Sequence, residues 1–82
     1  MDLLNNPNVK LIAIVYYTNG YSIDVYNVLN DNKSLYINSD NVHKYQGSHV
    51  LGDEISILEG LVKAGAPTNL GKYSIEKIVF NS

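Results

Sequence analysis

Asn19-Gly20 lies between two apolar, β-prone runs, Val9–Tyr17 and Tyr21–Leu29, and no other feature constrains the fold of this chain as strongly. Both residues tolerate positive φ, which a two-residue type I′ turn demands at its central positions. The pair therefore predicts a β-hairpin. A two-residue turn also sets the register, with Thr18 opposite Tyr21, Tyr16 opposite Ile23 and Ile14 opposite Val25. Side chains alternate along a strand. One face then holds Lys10, Ile12, Ile14, Tyr16, Ile23, Val25, Asn27 and Leu29, and the other Leu11, Ala13, Val15, Tyr17, Ser22, Asp24, Tyr26 and Val28. The first set is the more apolar and is expected to meet a helix. The second is not properly polar: Leu11, Val15, Tyr17, Tyr26 and Val28 either need cover or form a contact patch.

Downstream, Asn30–Lys33 reads as a polar turn and Ser34–Asn38 as a third strand. Residues 39–52 are irregular, with room for a short extra strand. A helix is predicted over Asp53–Ala64, capped by Asp53 and ended by Gly65 and Pro67. Ile55, Leu58, Leu61 and Val62 follow helical spacing and are expected to face the sheet. Gly60 breaks the helical propensity; either the helix packs closely against a neighbour there, the favoured reading, or the glycine is tolerated on the exposed side. Tyr73–Phe80 reads as a final strand that builds Ile78 and Phe80 into the sheet. The order is β-β-β-α-β: an α+β domain, residues 1–82, with a mainly antiparallel sheet of about four strands and one helix packed on one face.

A chain of 82 residues buries roughly 60–65% of its unfolded surface, so its stability margin is small. It has no cysteine, which leaves association among the usual supplements for a small domain. All six basic residues are Lys, against eight acidic ones, for a net charge of −2. A nucleic-acid binder would need a basic face and would favour Arg. The longest apolar run, Leu11–Tyr17, is far shorter than the ~20 residues of a membrane span. Met1–Asn8 lacks the basic and apolar regions of a signal peptide. A cytoplasmic protein, with neither nucleic acid nor membrane as partner, is expected.

Motifs that carry chemistry are weak. His43 and His49 stand near Asp40, Asp53 and Glu54, but their spacing matches neither a helical nor a strand face, so no metal site is expected. Ser48 next to His49 lacks the surroundings of an activated nucleophile. Gly47–Gly52 enters the helix as a phosphate loop would, yet Asp53 and Glu54 already satisfy the helix dipole. If a small nucleotide binds at all, Ser48 and His49 are the expected contacts. The seven tyrosines, without a cationic groove, suit a core or a protein contact better than base stacking. No catalytic residue and no cofactor are expected, and the chain does not read as an enzyme.

The abundance of Asn, Ile, Lys and Tyr without Arg or Trp indicates an AT-rich coding sequence. In size, composition and lack of motifs the chain resembles the small inhibitors made by phages and mobile elements, including anti-CRISPR and related anti-defence proteins. That resemblance implies a non-enzymatic inhibitor that docks on a host protein. The expected contact is the face of Leu11, Val15, Tyr17, Tyr26 and Val28. A homodimer is the other expected association, through that face or through an exposed edge of the last strand. Two alternatives are a module that sequesters a small ligand or nucleotide, and an immunity-type or structural subunit of a larger assembly.

Overall fold

The computed structural model describes residues 7–38, 44–50, 52–66, 69–70 and 73–81. Its elements are β1 (Val9–Tyr17), β2 (Ser22–Val28), β3 (Lys33–Asn38), β4 (Lys44–Ser48), α1 (Glu54–Ala64), β5 (Asn69–Leu70) and β6 (Tyr73–Phe80). They form one antiparallel sheet in the order β4-β3-β2-β1-β6-β5, with α1 on one face. The expected α+β class and single packed helix are as observed. β4 supplies the short strand for which residues 39–52 left room, and β5 adds a two-residue bridge.

The hairpin bends where expected but by a different turn. Tyr17 N–H donates to Tyr21 O (2.9 Å) and Gly20 N–H to Tyr17 O (3.0 Å), so Thr18, Asn19 and Gly20 all belong to the loop. Gly20 sits in the left-handed region at φ 89°. This is the three-residue solution, a tight turn closed by a left-handed glycine. Asn19 contributes its side-chain oxygen, which accepts from Tyr21 N–H at 3.0 Å.

That extra loop residue moves the register by one, pairing Val15 with Ile23 and Ala13 with Val25. A one-residue slip sends every side chain of a strand to the opposite face. The face assignment of β1 is corrected accordingly: Ala13, Val15 and Tyr17, not Ile14 and Tyr16, join Ile23 and Val25 in the core under α1, while Ile12 packs against that core as expected. The register shifts again between Leu11 and Ala13, so Leu11 stays on the far face, paired with Tyr26 rather than Val28. A second shift, between Tyr16 and Tyr17 opposite β6, puts Ile75 on the core side with Ile78.

α1 begins at Asp53, whose carboxylate accepts from Ser56 N–H at 2.8 Å, and ends at Gly65 in the left-handed region. Ile57 and Leu61 are its buried residues and Leu58 is half-buried. Ile55 and Val62, expected to face the sheet, are exposed. The phase is set by Gly60 and Ala64, which lie against Gly47 of β4. A Cβ on Gly60 would clash with the Tyr36 hydroxyl and lie 2.8 Å from Val50 Cγ1. Glycine here allows the helix to approach the sheet closely.

Gly60→Ala is therefore expected to reverse the usual sign. In an ordinary helix interior the change gains ~1 kcal/mol. Here overpacking, typically about 1–3 kcal/mol, outweighs that gain. The Tyr36 hydroxyl finds no hydrogen-bond partner among the described residues, so Tyr36→Phe should cost little and should recover part of the loss in the double variant. Urea melts of the four proteins measure the coupling. Strictly additive effects would disprove the contact.

Candidate functional site

Since α1 covers one face of the sheet, the other is the place to look for a contact surface. The strand register assigns to it Val9, Leu11, Ile14 and Tyr16 of β1, Ser22, Asp24, Tyr26 and Val28 of β2, Lys33, Leu35 and Ile37 of β3, Lys44 and Gln46 of β4, and Lys77 and Val79 of β6, an apolar centre with polar residues toward its margins. Val9, Leu11, Ile14, Tyr16 and Leu35 are half-buried, while Tyr26, Val28 and Ile37 are buried. The centre of the face is apolar where a solvated sheet face would alternate cleanly.

Asp24 stands in the middle of it. Its register partners are Ile14 on β1 and Ile37 on β3. Burial raises its carboxyl pKa, and the Tyr26 hydroxyl, which donates to Asp24 Oδ2 over a long 3.5 Å, opposes that shift. Among the described residues no cation pairs with it. Lys33 and Lys44 share this face through their register partners Val28 and Ile37, and a third cation, Lys77, lies 5.4 Å from the Tyr16 ring centroid, a distance at which the ring quadrupole attracts it.

Of the five residues expected to make the contact, Leu11, Tyr26 and Val28 share this face. Val15 and Tyr17 do not: both are fully packed in the core, and that part of the expectation is corrected. Burial, with Tyr21 and Tyr45 adding to it, pushes the Tyr17 hydroxyl up to about 12. Tyr17 also makes an edge-to-face contact with Tyr21 at 5.7 Å. Ile14 and Tyr16 take their places, and the sequence held no signal for that beyond the turn type. Asp24 was visible as a lone acid in a β-branched strand, a pattern that marks either a solvated position or a functional one.

Ser48 and His49 come together elsewhere, as exposed residues at the end of β4. They line a surface cavity of about 240 Å³ with Val50, Ser56, Glu59, Gly60 and Lys63. His43 and Asp40 lie outside the described residues. Among the described residues no cluster of three or more His, Asp and Glu side chains could hold a metal ion. No helix among them is long and apolar enough to cross a membrane. Compared with protein-family models, curated proteins and solved structures, the chain matches none of them.

Proposed function

We propose that this protein works by binding another protein through the sheet face opposite α1, as a non-enzymatic inhibitor of a host protein of the kind phages and mobile elements direct against host defences, acting in the cytoplasm. The supporting observation is Asp24, a half-buried carboxylate between Ile14 and Ile37 on an apolar face. A raised carboxyl pKa means the charged form is disfavoured in the folded state. A docking partner that offers an apolar patch with a Lys or Arg at its centre would offset that cost and be selected by it.

Asp24→Asn is then expected to raise the melting temperature at neutral pH while weakening capture of the partner. The sign of the pH dependence follows from the raised pKa. The native state holds the Asp24 proton more tightly than the unfolded chain, so the wild type recovers stability as pH falls through the carboxylate range. The advantage of Asn over Asp should shrink over the same interval. Tagged protein expressed in a low-GC bacterium, with retained proteins identified by mass spectrometry, tests the binding. One host protein should be retained by the wild type and lost with Asp24→Lys and Leu11→Lys. Equal retention by folded variants sinks the proposal.

The cavity at Ser48 and His49 supports a second reading, a module for a small ligand. Its signature is a thermal shift with a nucleotide panel that His49→Ala and Lys63→Ala abolish; saturating ligand at 100 times its Kd would stabilise the fold by about 2.7 kcal/mol.

A further inference from the structure

We propose that two copies of this chain pair through the outer edges of their β6 strands, continuing the sheet across a two-fold axis at Val79. The outer side of β6 carries β5 only opposite Tyr73 and Ser74. Among the described residues no strand pairs with that side further along. Asn81 N–H donates to Ile12 O at 2.8 Å. In an antiparallel ladder the direction of the backbone groups alternates. Lys77, Val79 and Asn81 thus turn theirs toward β1, and Ile78 and Phe80 turn theirs outward. A strand laid alongside is the partner such an edge accepts most readily.

The side chains point the same way. Natural edges are guarded by charge, above all by Lys. Here Lys77 is drawn back over the Tyr16 ring, and the Asn81 amide donates to Leu11 O at 3.0 Å. Glu76 is exposed before Lys77, and beyond Lys77 the exposed strand residues are Val79, 45% exposed, and Phe80, 42% exposed.

Symmetry then selects the register. Antiparallel copies in one sheet are related by an axis perpendicular to it, which keeps each face on its own side, so opposed residues share a face. An axis at Lys77 sets two ammonium groups against each other. An axis at Ile78 sets Lys77 against Val79. An axis at Val79 sets Ile78 against the second copy's Phe80 on either side, and these are the residues whose backbone groups face outward. The second copy's Asn81 then falls opposite Lys77, short of β5. Above the sheet, α1 rests its Gly60 and Ala64 flank on β4. Its other flank carries Ile55, 69% exposed, and Val62, 64% exposed. Because β4 is separated from β6 by three strands, the axis leaves the two helices apart and the pairing rests on the strand edge alone. Such a dimer is independent of any docking protein, and it would present both Asp24 faces on the same side.

Light scattering across a concentration series tests the pairing without any partner. The wild type is expected at twice the 9.1 kDa chain mass. Val79→Lys should run as a folded monomer, and so should Val79→Glu. Mixing the two variants should restore the doubled mass, because only this register sets residue 79 against itself. Val79→Cys provides the chain with a single thiol and should cross-link between chains under mild oxidation, which decides the matter if the charged variants do not fold. A wild type that stays monomeric into the hundreds of micromolar with no cross-link, or a mixture of folded variants that stays monomeric, overturns the dimer.

Discussion

Tyr17→Asp is expected to leave the chain unfolded at 25 °C, whereas Tyr16→Asp, one residue away, is expected to fold. Tyr17 is 1% exposed and packs in the cluster formed by Val15, Ile23, Val25, Tyr36, Ile57 and Leu61. Removing an aromatic side chain from such a site costs about 3–5 kcal/mol through lost burial and the cavity left behind. Aspartate adds a carboxylate that must either stay charged without solvent or take up a proton. A domain of this size has a total stability of about 4–12 kcal/mol, so the substitution consumes most or all of it. Tyr16 faces the other side of the sheet, half-buried under Lys77. Its loss removes one cation–ring contact and some surface packing, worth about 1 kcal/mol. Far-UV circular dichroism of the two variants reads the β1 register directly. A folded Tyr17→Asp together with an unfolded Tyr16→Asp would restore the two-residue turn and the opposite assignment of faces.

The second large effect is expected at Asn27, which is buried and polar. Its amide treats Val50 as a neighbouring strand would. Asn27 Nδ2 donates to Val50 O at 3.0 Å, and Asn27 Oδ1 accepts from Val50 N–H at 3.3 Å. Ser34 completes the group, its hydroxyl donating to Asn27 Oδ1 and accepting from Val50 N–H at 3.1 Å. The clamp fixes the backbone three residues before the Asp53 cap, and so sets where α1 starts over the sheet. Asn27→Asp replaces the donor to Val50 O with a second acceptor and buries a charge. Breaking a buried polar pair in this way costs about 1–3 kcal/mol, and more when a charge is left behind. A loss of about 3–4 kcal/mol in urea unfolding is expected. Acid should reverse part of it: a protonated carboxyl can donate to Val50 O, so this variant, unlike the wild type at this position, gains stability as the pH falls. A variant as stable as the wild type at neutral pH would show that the clamp contributes nothing.

Most elements of this fold were legible locally. The span of β1 and of β6, the Asp53 cap, the Gly65 stop and the helix between them follow from period, capping chemistry and left-handed glycine, all of which act within a few residues. The membership of the sheet face opposite α1 was legible only in part. Leu11, Tyr26 and Val28 were placed together correctly. Val15 and Tyr17 were not, because Asn19-Gly20 suits both a two-residue and a three-residue hairpin loop, and the two differ by the one residue that exchanges faces.

By itself the chain determined the class of fold, the site of the bend, the single capped helix and the surplus of apolar side chains over what one sheet face can hide. Only tertiary structure decided which of two adjacent tyrosines is core. It also decided that Gly60 makes room for the Tyr36 ring and that, among the described residues, only β5 pairs with the outer side of β6. Turn chemistry and capping are settled by neighbours in sequence, whereas register, helix phase and edge pairing are settled by contacts between residues far apart along the chain, where one added loop residue or one bulge changes every face downstream.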